Sequence, residues 1–511
     1  MMQIRPTLEE VRALAETGEY GSVPISCEIL SDTVTPLIAL QRLQFVSDHC
    51  FLFESVEDHG RWGRYSFLGY DPRLTISCRN GRTQVEAGGT AFSYDEPPEQ
   101  HIRRILAENR APRLDYLPPF AGGLVGYFAY DYFKYAEPSL NLDAHDDEGF
   151  ADMDLMLFDK VVAFDSFRQK LVLIVNMPLG GGMAGMSAAD GSAERTSRGI
   201  DAAYHKAVAA LRAMRDLVLE GERKPDVPGR ITSEVRTLFD EDGYCAMVRR
   251  AQEYIRAGDI FQVVLSNRLD ADFEGTLLDT YRLLRTINPS SYLIYMASSD
   301  LEVAASSPET LVRVEDGRVF TFPLAGTRPR GKTPEEDAAL EADLRADEKE
   351  RAEHDMLVDL GRNDVGKVCE FGSVKVEKHA EVERFSHVMH LGSTISGELR
   401  DDLDALDAVG SILPAGTLSG APKIRACQII NDLEDNKRGI YGGTIGYIDL
   451  AGNLDMCIGI RLAYHRGGRV FVRSGAGIVA DSVPENEFRE CVNKARAVVC
   501  ALETASEGLD A

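Results

Sequence analysis

Residues 441–479 read YGGTIGYIDLAGNLDMCIGIRLAYHRGGRVFVRSGAGIV. Short β-rich runs are separated here by Ala451-Gly452-Asn453 and Gly467-Gly468, which predicts a β-meander. Leu454, Met456, Ile458, Ile460 and Leu462 alternate onto one face of its middle strand. Asp455, Cys457, Gly459 and Arg461 fall on the other face, where small neighbours leave room around a guanidinium. Such a group can grip a carboxylate with two hydrogen bonds, although an exposed sheet face is an equal reading.

Outward from that segment the pattern becomes mixed α and β. Ser482-x-x-Glu485 with Pro484 opens a last helix that runs to about Thr504. Pro422 opens another toward Glu434, directly after the small-residue run Gly416 to Ala421. Ile260 to Arg268 and Glu302 to Val314 are β-rich. Thr333-Pro334-Glu335-Glu336 is a capping box, and the helix behind it is expected to continue to about Leu360. Gly221 to Gly229 (GERKPDVPG) marks a boundary between a region 1–225 and a region 226–511. The Gly-, Ser- and Ala-rich stretch 178–200 reads as a flexible excursion. Two pairs of segments echo each other in the same order. GGLVGYFAYD at Gly122 resembles GGTIGYIDL at Gly442, and DPRLTISCRNGR at Asp71 resembles SPETLVRVEDGR at Ser307. A duplicated sheet with insertions would account for both.

The 511 residues, 44% hydrophobic and 27% charged, describe a globular protein. A net charge of −26 excludes a phosphate-tracking nucleic-acid binder and docking on anionic membranes. It leaves an anionic substrate possible only where a local cation holds it. No window reaches a membrane span, and the start MMQIRPTLEEVRALAE lacks the apolar core of a signal peptide. Nine cysteines without a C-x-x-C pair read as reduced thiols of a cytoplasmic protein.

Spacing places several carboxylates together. Glu350 and Glu353 share a helix face, and so do Glu487, Glu490 and Lys494. Two helices presenting one carboxylate each can hold Mg²⁺, which keeps several waters; solvated faces with salt bridges are the commoner meaning of such spacing. Gly416 to Lys423 and Ser474 to Gly477 are small-residue turns suited to binding a carboxylate, or ordinary tight turns. Gln262 in IFQVV is an edge group or a placed amide, and His390 in HVMH a core residue or a base. These residues suggest a site for small carboxylic acids and stop short of a reaction.

Longer stretches carry more. GDIFQVVLSNR, PLAGTRPRG, DEKERAEHDMLVDLGRNDVGKV, LPAGTLSGAPKIRA and GAGIVADSVPENEFRECVNKA are among the matches that run through most of residues 240–500. Together they resemble the chorismate-utilising enzymes, and within them the anthranilate synthase component I family. The resemblance implies large antiparallel sheets packed face to face with helices outside. It implies Glu353 and Glu490 as Mg²⁺ ligands that grip the ring carboxylate of chorismate. Tyr441, Arg461, Lys494 and the backbone at Gly475, Ala476 and Gly477 would hold the enolpyruvyl carboxylate, with Thr417 beside the ring. Glu309 would protonate the departing C4 hydroxyl, and His390 would serve the second step, loss of the C2 proton and of pyruvate. Relatives that add water carry Lys where Gln262 stands, and aminodeoxychorismate synthases carry Lys where Ala325 stands. Gln262 and Ala325 therefore favour direct attack of ammonia at C2, and anthranilate as product.

In the N-terminal half, LFES at Leu52 to Ser55 followed by GRWGRYSFLGYDP resembles the tryptophan feedback motif of that family, with Phe53 as a departure. NPSSYLIYM at Asn288 resembles the second wall of the pocket. Glu54, Ser55, Asn288, Pro289, Leu293, Ile294 and Cys457 are the effector residues this implies. No glutaminase motif is present, so ammonia would come from solution or from a separate amidotransferase subunit, component II, in a heterotetramer.

Overall fold

The computed structural model describes residues 2–55, 63–180, 197–385 and 388–508. The centre of the Gly-rich stretch and Gly60 to Trp62 of the regulatory motif lie outside them.

Two large antiparallel sheets, one of 14 strands and one of 12, pack face to face. Between them lies an interlayer core that includes Phe51, Phe120, Tyr127, Phe158, Ile294, Cys457 and Tyr464. Helices cover the outer faces. Ser197–Glu220, Leu278–Ile287 and Pro484–Glu507 lie against the first sheet. Glu348–Gly366 and Ala405–Ile412 lie against the second. Burial of both faces explains why central strands such as Met153–Phe158 and Lys170–Pro178 read as nearly continuous apolar runs, whereas the edge strand Lys375–Arg384 is polar and largely exposed.

Both halves follow the same itinerary. In the N-terminal half, strands Ser22–Leu30, Cys50–Glu54 and Tyr65–Tyr70 enter the first sheet. Leu74–Arg79, Arg82–Ala87, Gly123–Phe128 and Met153–Phe158 cross to the second, and Lys160–Asp165 and Lys170–Pro178 return. The C-terminal half repeats this with Gln262–Glu274, Tyr292–Ala297 and Glu302–Ser307. It crosses with Thr310–Glu315, Arg318–Thr321, Thr444–Asp449 and Leu454–Ile458, and returns with Leu462–Arg466 and Arg469–Ile478. The halves join strand to strand in each sheet. In the second, the two Gly-rich echoes pair with each other and Gly126 lies opposite Gly446. A Cβ on either glycine would stand about 2 Å from a neighbouring carbonyl oxygen, of Asp154 or of Asp455. The duplication is thus a pseudo-two-fold centred on that glycine pair, with Leu52 opposite Tyr295 in the first sheet. Each sheet is made by both halves.

Two expected elements change. The helix after Thr333 is two helices, Pro334–Ala346 and Glu348–Gly366. Asp347 takes an extended backbone between them, and its carboxylate accepts from the amides of Lys349 and Glu350, restarting the helix. The expected middle strand of the meander is also broken. Leu454–Ile458 belongs to the second sheet and Leu462–Arg466 to the first, with Gly459 to Arg461 as the crossing. Arg461 therefore stands on no strand face; its φ is +49°.

Candidate active site

The two crossings in the C-terminal half lie side by side. Ser307-Pro308-Glu309 connects strand Glu302–Ser307 to Thr310–Glu315, and Gly459 to Arg461 runs the opposite way. The Ile458 amide donates to the Glu309 carbonyl at 2.9 Å, and the Ser306 amide to the Arg461 carbonyl at 3.0 Å. This lacing holds a carboxyl and a guanidinium next to each other where the sheets exchange chains.

Beside it opens a cavity of about 480 Å³, lined by His390, Arg461, Glu490, Asn493, Lys494 and Pro308 among others. Glu309 is half-buried, and the Thr417 hydroxyl donates to its Oε1 at 3.2 Å. Burial pushes its carboxyl up to about 8, against the opposing pull of that hydrogen bond and of Arg461 and Lys494. It is therefore an acid that keeps its proton at neutral pH. Burial lowers the Arg461 guanidinium, which has no hydrogen-bond or ion-pair partner among the described residues. A half-buried cation left open to a cavity is a receptor for an anion.

His390 sits on strand Val388–Glu398. Its Nδ1–H donates to the Gly326 carbonyl at 2.7 Å, which leaves the Nε2 lone pair free. Burial and Arg461 hold its pKa below the usual histidine value, while the Gly326 bond opposes them. At neutral pH it is a base. His354, by contrast, is fully buried; its Nε2 meets the Ser393 hydroxyl at 2.6 Å, and its Nδ1 has no hydrogen-bond partner among the described residues.

The helices Glu348–Gly366 and Pro484–Glu507 supply the carboxylates. Burial first, then the neighbouring Glu350 and Glu490, raise Glu353 above the ordinary carboxylate value. Burial and Glu490 do the same to Glu487. Lys494 pairs with Glu490 at 2.7 Å and donates to the Gly475 carbonyl at 3.2 Å. Among the described residues no three His, Cys, Asp or Glu form a ready-made metal cage.

Strand Arg469–Ile478 pairs with Gln262–Glu274 and reaches the cavity only through the Lys494 bond to Gly475, since none of its residues lines that cavity. A Cβ at Gly477 would lie 2.9 Å from the Gln262 amide nitrogen, and one at Gly475 would lie 2.9 Å from the Tyr441 hydroxyl. The glycines make room for those two side chains. Ala476 is buried in the core cluster of Val263, Leu265 and Ile478, so its methyl is committed to packing. Ala325 is buried beside Gly326 and pairs with Leu391.

The expected effector residues are not brought into one cavity. Glu54 and Leu293 are register partners, but Glu54 turns to the Tyr281 hydroxyl at 2.6 Å and to Arg285 at 2.8 Å. Leu293 packs in the core outside the first sheet, and Ile294 and Cys457 in the interlayer core. Ser55 follows Glu54 and is half-buried. Asn288 and Pro289 line the same cavity as His390 and Arg461. A separate cavity of about 380 Å³ opens between the sheets, with Arg64, Tyr65, Arg313, Tyr447 and Asp455 on its walls. The sequence reading missed these residues and Asn493; only the turn of helix between Glu490 and Asn493 hinted at the latter.

These features bring a protonated carboxyl, a neutral imidazole and an open guanidinium into one region, chemistry suited to a small anion. A family model described as chorismate binding enzyme matches residues 48–499, and the chain belongs to that family. Within it the chain is 44% identical over 510 residues to the anthranilate synthase component 1 of Acetivibrio thermocellus, covering 98% of this chain and 99% of that one. It is 42% identical to that of Aquifex aeolicus over 99% of both. The crystal structure of anthranilate synthase component I from Streptococcus pneumoniae superposes with a TM-score of 0.70 at 35% identity, covering 92% of this chain and 98% of that one. An isochorismate synthase from Escherichia coli, at 20% identity and a TM-score of 0.68, shares the fold. No helix of the described residues is long and apolar enough to cross a membrane.

Proposed function

We propose that this chain is the chorismate-binding subunit of an anthranilate synthase, a lyase converting chorismate and ammonia to anthranilate and pyruvate. The observation that carries this reading is Glu309, protonated at neutral pH beside the unpaired Arg461. Arg461 and Lys494 would hold one carboxylate of the substrate over Gly475 to Gly477. Ammonia then attacks C2, both ring double bonds shift (C1=C2 to C1=C6 and C5=C6 to C4=C5), and the C4 hydroxyl leaves as water with the Glu309 proton. The ammonium formed gives up a proton, leaving an aminodeoxyisochorismate. In the second step His390 assists removal of the C2 proton, the C3–O bond breaks, and pyruvate departs as the ring becomes aromatic. The neutral Gln262 amide orients and does not act as base.

Glu353 and Glu490 would hold Mg²⁺. The raised Glu353 supports this, because crowded carboxylates without a compensating cation invite one. When bound, the ion would supply positive charge for the second carboxylate. Ammonia would come from a component II amidotransferase in a heterotetramer. Tryptophan would inhibit from the interlayer cavity, where Tyr447 packs on Phe120 at 4.4 Å and offers an aromatic wall to an indole. Cytoplasmic residence follows from this role. Aminodeoxychorismate synthesis is the second reading, and the buried methyl of Ala325 counts against it.

Anthranilate fluorescence from the purified chain with chorismate, ammonium salt and Mg²⁺ tests the reaction. A signal abolished by EDTA and suppressed by tryptophan is expected. Chorismate consumed without fluorescence would overturn the assignment.

A further inference from the structure

The pseudo-two-fold relates cavities as well as strands. The interlayer cavity with Arg313, Glu315, Tyr447 and Asp455 has a counterpart at the other end of the sandwich, a polar cavity of about 240 Å³. Aligning the two echoes matches Arg313 with Ser77, Glu315 with Arg79 and Tyr447 with Tyr127. Asp455 and Asp154 correspond as well, since each pairs in register with its tyrosine. The closing ion pairs also correspond, with their signs exchanged. Arg64 meets Asp165 at 2.6 Å in the first, and Asp300 meets Arg466 at 2.9 Å in the second.

The two carboxylates differ in one respect. Asp455 accepts the Tyr292 hydroxyl at 2.7 Å. His49 occupies the matching place in the smaller cavity, and the Asp154 carboxylate has no hydrogen-bond or ion-pair partner among the described residues. Burial and Asp300 push it up to about 7, against the pull of Arg466. Arg79 has no carboxylate partner either; it donates only to the Gly149 carbonyl. Ser77 pairs in register with Asp154, so Arg79 lies two residues, about 7 Å, along the same inward face. A half-buried anion and an open cation at that separation match the two ends of a zwitterion, each reached by one charge-assisted hydrogen bond. The remaining wall includes Thr75, Gln84, Glu86, Ser298 and Ser299, with Met156 and Leu301 beside them, and its polar groups suit a short polar side chain.

The geometry points to a second ligand site here, taking a small polar α-amino acid with its ammonium on Asp154 and its carboxylate on Arg79. The site is independent of the reaction proposed above, and its test is a binding measurement. Titration calorimetry of the full chain at mildly alkaline pH uses L-serine, L-asparagine and L-glutamine as probes. Saturable binding of at least one is expected, with none of ethanolamine, which lacks the carboxylate. Asp154→Asn and Arg79→Gln should each weaken that binding about 10-fold or more, as loss of a charged partner does. Arg313→Gln, in the larger cavity, should leave it unchanged. Failure of all three amino acids to bind, equal binding of ethanolamine, or loss of binding in Arg313→Gln with Asp154→Asn unaffected would each overturn the assignment.

Discussion

In the proposed reaction Glu309 and Arg461 act through what burial does to a charge. Glu309 is neutral below about 8 because its ionised form is poorly solvated, and Arg461 is kept short of partners for an incoming anion. The acid form of Glu309 is lost as pH rises through about 8, and the basic form of His390 is lost as pH falls through a value below 6.5. At constant free NH₃, kcat should thus trace a bell whose alkaline limb belongs to Glu309. Glu309→Gln should lower kcat by about 10²–10⁴-fold, the usual worth of a general acid, and remove that limb from the residual activity. An unchanged alkaline limb in the variant would assign it elsewhere. His390→Met should consume chorismate and accumulate the aminated intermediate, detectable by mass spectrometry. Normal anthranilate release by that variant would exclude His390 from the second step.

Among the elements, the helices that carry the carboxylates were legible in sequence, because Glu353 and Glu490 lie on faces fixed by helical spacing. The break at Asp347 was not. A capping box followed by strong helix formers gives no local stop; at the break Arg328, from strand Leu324–Pro329, binds Asp343 at 2.6 Å and Asp347 at 2.8 Å, a non-local contact that no spacing reveals. The crossing at Arg461 was hidden for a related reason. Apolar alternation continues unbroken from Leu454 to Leu462, yet the chain changes sheets in its middle. The meeting of Glu309 with Arg461 is non-local, and only the fold reveals it. Asp347→Ala tests the element. It removes a helix cap worth about 1 kcal/mol, and the melting temperature should fall by roughly 1–2 °C. Because the same turn leads to Glu350 and Glu353, the Mg²⁺ concentration for half-maximal activity should rise as well. A variant matching the parent in both would make the cap dispensable.

For the whole molecule, the duplication supplies a physical route between the proposed effector cavity and the proposed active site. Strands of both halves build each sheet, so a ligand between the sheets touches both halves at once. Asp455, on the wall of the larger interlayer cavity, accepts the Tyr292 hydroxyl at 2.7 Å. That hydroxyl also lies 2.8 Å from Thr310, the residue next to Glu309. A short chain of polar contacts therefore runs from the proposed tryptophan cavity to Thr310, the chain neighbour of the proposed proton donor. The echo motifs announced the duplication in sequence, but this chain joins three segments that no spacing relates. If inhibition travels along it, removing the Tyr292 hydroxyl should separate binding from its effect. Tyr292→Phe keeps the ring and the aromatic packing. Tryptophan affinity measured by calorimetry should stay within about threefold of the parent, less than 1 kcal/mol. The residual activity at saturating tryptophan should rise toward the uninhibited rate. Full inhibition with unchanged affinity would show that the signal passes by another route, such as the strand pairing of Cys50–Glu54 with Tyr292–Ala297.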